Sequence, residues 1–389
     1  MAAADALCRF RPPSKRIGLL NPKFAAYGSA MTIVPKQSLR PGYDISRIIK
    51  GGWQLAGDHG EIEPDQVIRD MLAFFDAGIT AYDCADIYTG VEDLIGRFRA
   101  LVHQSRGAQA AHSIRVHTKY VPDRDTLGQL RFSDVEAAID RSLHRLRQEQ
   151  LDLVQFHWWN YEIPGHAEAM QHLETLRQSG KIRCLGVTNF DAPHLEELCN
   201  ICDVVSAQIQ YSLLDSRPAG PFAELAKSRN VALLTYGVLA GGFLTDHWLG
   251  KPDPGFAFEN RSLVKYRLVI EDFGGWDLFQ TLLSTLRRIA NRHGVEISTI
   301  ATRAMLDNRD VAATIIGARY ANRLPRTLKV FDIELTEADN TELEAVLKQR
   351  QGPTGPVFGL ERDTTGRHGQ IMKYNLNKGD NRLASEGTA

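Results

Sequence analysis

Residues Ser133 to Phe156 read SDVEAAIDRSLHRLRQEQLDLVQF. In the first half Val135, Ile139, Leu143 and Leu146 recur at helical period, which puts them on one stripe of a helix. Ser133 and Glu136 stand at capping-box spacing, so a helix is expected to start there. The second half, LDLVQF from Leu151, is a short apolar run of the kind a strand buried on both faces needs. A helix that feeds straight into a buried strand is half of a parallel β/α repeat, because parallel strands need a crossover to bring the chain back.

The same alternation runs outward from this stretch, between about Tyr43 and Leu347. Upstream, Pro64 opens a helix carrying Val67, Met71, Phe74 and Phe75 on one face, and Gly78 ends it. Downstream, Ala169, Leu173 and Leu176 align on a helix that stops at Gly180 and delivers KIRCLGV. Strand-like runs fall near Ile49, Ala81, Val116, Val154, Leu185, Val205, Leu233 and Ile315. Eight is the number that closes a barrel of this type. No Gly-x-Gly-x-x-Gly follows any of them, which puts a doubly wound dinucleotide fold second. The expected fold is α/β, a single-domain (β/α)8 TIM barrel over residues 43–348. An N-terminal arm (1–42) and a C-terminal tail (349–389) flank it.

Composition narrows the partners. With 43% hydrophobic and 24% charged residues the chain can bury a large core, and a net charge of -1 gives no field for nucleic acid or an anionic membrane. No apolar run approaches the roughly 20 residues that span a bilayer. The expected partner is a small molecule. Five scattered cysteines argue for a reducing compartment, and Cys199-x-x-Cys202 reads as two small residues near a helix end rather than a redox centre. The first 40 or so residues contain one carboxylate, Asp5, and no signal-type apolar segment. They read as an arm on a cytoplasmic protein, with an organellar transit peptide as the alternative.

In a parallel barrel the active site forms at the C-terminal ends of the strands. There the sequence places Asp83 and Tyr88, then Lys119, His157, Asn189, Gln208 and Tyr236. Each has a structural reading of its own: a turn cap for Asp83, a packed ring for Tyr88, a solvated strand end for Lys119, a core imidazole for His157. Together on one rim they are a proton-transfer set. A tyrosine hydroxyl near pKa 10 needs a neighbouring cation to give or take a proton near neutrality. Lys119 is expected to lower it, Asp83 to hold Lys119 charged, and neutral His157 to hydrogen-bond and orient the substrate carbonyl. Trp53 and Trp158 are expected to wall the pocket, and the stretch from Gly241 to Trp276 to form a lid loop. His117, two residues before Lys119, should lie deeper in the barrel, and no carboxylate cluster completes a metal set with it.

These segments resemble the aldo-keto reductase family over about residues 43–348. The resemblance is carried by DCADIYTGVEDLIG (Asp83 to Gly96), HTKY with Lys119, LDLVQFHW with His157, GVTNF with Asn189, AQIQYSLLD with Gln208 and TYGVLAGGFLT with Tyr236. It implies hydride transfer between NADP(H), less so NAD(H), and a carbonyl or alcohol substrate, with no metal. Asp83, Tyr88, Lys119 and His157 would be the catalytic tetrad. Asn189 and Gln208 would hold the nicotinamide carboxamide, with Tyr236 stacked on its ring. Leu239, Gly241, Gly317, Arg319 and Arg323 would lie along the rest of the cofactor, the two arginines facing a 2′-phosphate. Cys84, Gly237 and Gly317 depart from the family's usual Thr, Ser and Lys. Channel β-subunits also resemble this family, so a slow-turnover nicotinamide sensor is the alternative. The Gly- and Pro-rich tail, with Phe358 and Tyr374, is expected to fold over the barrel mouth.

Overall fold

The computed structural model describes residues 33–56 and 60–377. The expectation for an arm falls mostly on residues 1–32, outside the described ones. Residues 36–42 of that arm are not loose. Strands β1 (Lys36–Arg40) and β2 (Tyr43–Ser46) pair antiparallel as a hairpin, pairing Lys36 with Ser46.

Eight parallel strands come next and close on themselves. They are β3 (Ile48–Gly51), β4 (Ala81–Asp83), β5 (Arg115–Tyr120), β6 (Leu151–Phe156), β7 (Ile182–Thr188), β8 (Val204–Gln210), β9 (Ala232–Tyr236) and β10 (Val311–Gly317). β10 pairs with β3 to complete the ring. All eight expected runs are strands of this (β/α)8 barrel. The crossovers are α1 (Pro64–Asp76), α2 (Val91–Arg106) with the short α3 (Ala108–Ser113), α4 (Phe132–Leu146), α5 (His166–Gln178), α6 (Ala192–Cys199) and α7 (Pro221–Ser228). The last crossover uses α8 (Arg261–His293) and α9 (Ile297–Asp307). After β10 come α10 (Leu324–Leu328) and α11 (Glu337–Leu347), and in the tail the four-residue α12 (Gly359–Arg362).

Helix α4 differs from its expected start. Arg131 rather than Ser133 precedes it, and Asp134 closes the box by accepting from the Arg131 backbone N–H at 3.0 Å. Asp134 competes with Glu136 for the role and sits at the third helical position. Gly96 lets α2 pack on α4, since a Cβ there would stand 2.2 Å from the Arg145 carbonyl oxygen.

The hairpin stoppers the bottom of the barrel. Leu39, Tyr43 and Ile45 pack on the inward side chains Ile49, Ala81, Leu153, Val205, Leu234 and Ala313. His117 lies in this lower layer against the Tyr43 ring, 6.2 Å between centroids, and burial holds its pKa down at about 3. This end of the barrel is filled by packed side chains. Among the described residues no helix is long and apolar enough to cross a membrane.

Candidate active site

Strand register brings the rim together. Gly51 pairs with Asp83 across β3 and β4, and Lys119 with Gln155 across β5 and β6. Thr188 pairs with Gln208 across β7 and β8, and Gln210 with Tyr236 across β8 and β9. Lys119 Nζ donates to both Asp83 carboxylate oxygens at 2.8 Å and to the Cys84 carbonyl at 2.7 Å. It lies 5.0 Å from the Tyr88 ring centroid. Tyr88 hangs from the turn before α2, where its backbone N–H donates to the Ala85 carbonyl at 3.0 Å. Asp86, which the motifs alone do not single out, fixes that turn by accepting from Ile87 N at 2.9 Å and Val121 N at 3.0 Å.

The electrostatics refine the expected relay. Burial opposes charge on Lys119, but Asp83 and Tyr88 outweigh it and push its pKa up to about 12, so the ammonium persists. Lys119 also pulls on Tyr88, yet burial of the phenol wins and raises Tyr88 to about 12. The expected depression of the tyrosine is therefore reversed. A phenol this weak stays protonated, the state a proton donor requires.

His157 leaves β6 with Nδ1 3.0 Å from the Thr188 carbonyl oxygen. A carbonyl can only accept, so Nδ1 carries the proton. Burial, aided by the Arg362 charge, lowers the imidazole pKa to about 3, so it is neutral. Its Nε2 is buried without a partner among the described residues. That atom is a lone-pair acceptor, suited to an alcohol O–H; the expected donation to a carbonyl oxygen is ruled out in this tautomer.

Around this group Trp53 sets its ring 5.0 Å from that of Tyr88, and its Nε1 donates to Ser262 Oγ at 3.1 Å. Trp158, expected beside it, packs elsewhere. Its side chain is fully buried against Phe156, with Nε1 donating to the Ile163 carbonyl at 3.0 Å. The chain has left the strand after Phe156, so inward–outward alternation no longer orders the side chains. Trp159 takes the place beside His157, ring centroids 4.3 Å apart, and Phe358 from the tail faces the same imidazole at 5.5 Å.

Asn189, in left-handed conformation at φ 63, accepts from Tyr236 Oη at 2.8 Å. Gln208 Nε2 donates to Asp83 Oδ1 at 2.6 Å. Asn189 Nδ2 and Gln208 Oε1 make no hydrogen bond among the described residues, leaving one donor and one acceptor, the complement of a carboxamide. Further along, the space beside Gly241, expected to lie along the cofactor, is filled by the chain itself. A Cβ at Gly241 would stand 2.7 Å from the Tyr266 ring, and one at Gly237 2.6 Å from Tyr266 Oη. The Leu239 carbonyl is used within the same turn, accepting from Gly242 N at 2.8 Å. Lys265 lies 5.1 Å from the Tyr236 ring centroid.

Tyr266 and Lys265 belong to α8, which corrects the expected lid loop. Asn260 caps this helix, accepting from Ser262 N at 2.8 Å, and Gly274 (φ 138) and Gly275 (φ 83) break it into segments 261–273 and 276–293. Beyond β10, Gly317 lies against the Gln54 amide. Arg319 donates to the Gly60 carbonyl at 3.0 Å and also to that of Glu61, while Arg323 is exposed at the start of α10.

The tail closes the mouth. Glu361 is clamped by Arg217 at 2.8 and 2.9 Å, and Arg217 also grips Asp215. Arg362 Nη2 donates to the Trp158 carbonyl at 3.1 Å and the Asn189 carbonyl at 2.7 Å. Tyr374 meets Trp159 at 5.3 Å, and Asn377 Nδ2 donates to the Val121 carbonyl at 2.9 Å.

The family model described as "Aldo/keto reductase family" matches residues 47–348. The chain belongs to that family. The aldo-keto reductase YhdN of Bacillus subtilis is 25% identical over 325 residues, covering 82% of this chain and 95% of that protein. The NADH-specific methylglyoxal reductase of Escherichia coli is 24% identical over 317 residues, covering 76% and 93%. Among solved structures a glycerol dehydrogenase from Gluconobacter oxydans superposes with a TM-score of 0.67 at 24% identity, covering 84% of this chain and 99% of its own. That likeness speaks for the barrel. As an aldo-keto reductase the chain is an oxidoreductase of nicotinamide type.

Proposed function

We propose that this aldo-keto reductase interconverts a carbonyl compound and its alcohol with NADP(H), using Tyr88 as general acid in reduction. The observation that supports it most is one rim carrying the Asp83–Lys119 ion pair, the Tyr88 phenol above it and the unpartnered Nε2 of His157. A bound nicotinamide would supply the hydride. Asn189 and Gln208 would hold its carboxamide and Tyr236 would flank its ring. Tyr88 donates a proton to the carbonyl oxygen as negative charge gathers there, and Lys119 stabilises the phenolate left behind. The new hydroxyl then donates to His157 Nε2, which orients the alcohol. Trp53, Trp159 and Phe358 exclude water. Arg323 is an exposed cation available to a 2′-phosphate, whereas Arg319 is spent on backbone carbonyls. The NADH-specific E. coli relative makes NADH the competing reading. Cys84, Cys184, Cys199 and Cys202 are free thiols, which fits a reducing, cytoplasmic setting.

Tyr88→Phe removes the donor and leaves the carboxamide groups in place. Turnover should fall by about 100- to 10,000-fold, with cofactor affinity, read by fluorescence titration, close to wild type. A variant keeping more than about a tenth of the activity would refute the assignment. Wild-type protein that binds cofactor yet shows no steady-state turnover on simple aldehydes would favour the sensor reading.

A further inference from the structure

Arg362 is a tail residue whose guanidinium is held at the barrel mouth. Its Nη2 is fixed by two carbonyls close to catalytic elements, those of Trp158, next to His157, and Asn189. The guanidinium lies over the Tyr161 ring at 4.1 Å and 5.3 Å from the Phe358 ring centroid. Its other two nitrogens, Nε and Nη1, are buried and make no hydrogen bond among the described residues. Nor does a carboxylate among the described residues pair with its charge. Glu361, its chain neighbour, has both oxygens on Arg217, as does Asp215, and Asp191 is paired with His194 at 2.5 Å. Arginine does not shed its proton in proteins, and a buried cation with idle donors is costly unless a ligand completes it. Burial pulls the Arg362 pKa down, the direction of a cation short of counter-charge.

The geometry points to Arg362 as a substrate-anion anchor: the physiological carbonyl or alcohol substrate carries a carboxylate or phosphate that the idle guanidinium N–H groups grip beside His157. Charge-assisted hydrogen bonds from a guanidinium held flat on Tyr161 and pinned at Nη2 would fix the anion's orientation as well as answer its charge. This inference rests on the oxidoreductase reading only in calling the ligand a substrate.

Equilibrium binding of 4-methylbenzoate and its neutral amide to the full chain tests it without requiring turnover. Wild type should prefer the carboxylate by about 10- to 100-fold, the range for charge-assisted hydrogen bonds. Arg362→Met should abolish the preference while leaving amide binding within about threefold, and Arg362→Lys should keep a smaller preference. In kinetics 4-carboxybenzaldehyde should show the same advantage over 4-methylbenzaldehyde, lost as a rise in KM in Arg362→Met. Absence of any anion preference in wild type overturns the proposal, as does an equal loss of both ligands in a Met variant that melts like wild type. Should both variants unfold, the wild-type comparison decides alone. Replacing the aryl carboxylates by aryl phosphates separates the two anions. Intact anion discrimination without turnover on any aldehyde would sink the oxidoreductase reading and leave the anion site standing.

Discussion

Replacing Lys119 by Met removes one charge and keeps most of the side-chain volume. In the structure the ammonium stands 5.0 Å from the Tyr88 ring centroid, inside a buried rim. At that separation and an effective dielectric of about 20, a unit charge stabilises the phenolate formed in reduction by about 3 kcal/mol, or about two orders of magnitude in rate. The loss should exceed this if Asp83 remains ionised, because its charge would then repel the phenolate. Asp83 would keep the Gln208 amide as a partner at 2.6 Å. The proper assay is single-turnover hydride transfer, since product release limits kcat in many enzymes. Cofactor affinity and the melting curve serve as controls. A hydride-transfer rate reduced less than about tenfold in a folded, cofactor-binding variant would show that Lys119 does not support the phenolate.

Two further outcomes are expected. Arg323→Ala should raise the KM for NADPH several-fold and barely change that for NADH, read by initial rates with both cofactors; equal or better wild-type efficiency with NADH would defeat it. Glu361→Gln should lose pH-dependent stability. Burial alone would raise the Glu361 pKa, but Arg217 holds it down at about 2 against an ordinary 4.5. A depressed carboxylate contributes stability that is full above its unfolded pKa and lost as pH falls through the folded one. Wild type should therefore exceed the variant in urea unfolding by about 3 kcal/mol at pH 7, and the gap should close between about pH 4.5 and 2. A gap unaltered by pH would refute the assignment.

The barrel was legible because its strands are buried on both faces and so read as unbroken apolar runs. The rim was legible because its residues stand at the polar end of each run. What the sequence concealed lies where local rules stop. Trp158 and Trp159 stand outside the strand, and only tertiary packing decides that the second faces His157. Helix 261–273 was hidden between glycines, although Asn260 as cap and Tyr266, Val269, Ile270 and Phe273 as buried face were available signals. The sign of the Tyr88 shift depends on how deeply the ring is buried against how near the cation lies, and neither quantity exists before folding. The tail has no period at all, so nothing local places Phe358 or Arg362.

Their placement is ionic. A segment with one four-residue helix has no apolar stripe to set its register against the barrel. Apolar anchors alone tolerate slippage, because Val357, Phe358 and Met372 could trade neighbouring sites at modest cost. The Arg217 site does not tolerate it. Arg217, Asp215 and Glu361 side chains are 2%, 0% and 0% exposed, so whatever stands opposite Arg217 is desolvated. A one-residue slip would present Leu360, which leaves Arg217 half-answered, or Arg362, which buries a cation against a cation. Buried ion pairs contribute little net stability against well-packed apolar alternatives, but breaking one leaves an uncompensated charge, a penalty of about 3 to 5 kcal/mol. Such a penalty exceeds the gain from any alternative apolar fit of a few methylenes. The network therefore selects one register, and that register puts Phe358 over His157 and the Arg362 guanidinium beside it. Glu361→Gln, which touches no ligand, should accordingly erode carboxylate preference in the same binding experiment that reads Arg362. Full preference in that variant would mean the tail finds its place by apolar packing alone.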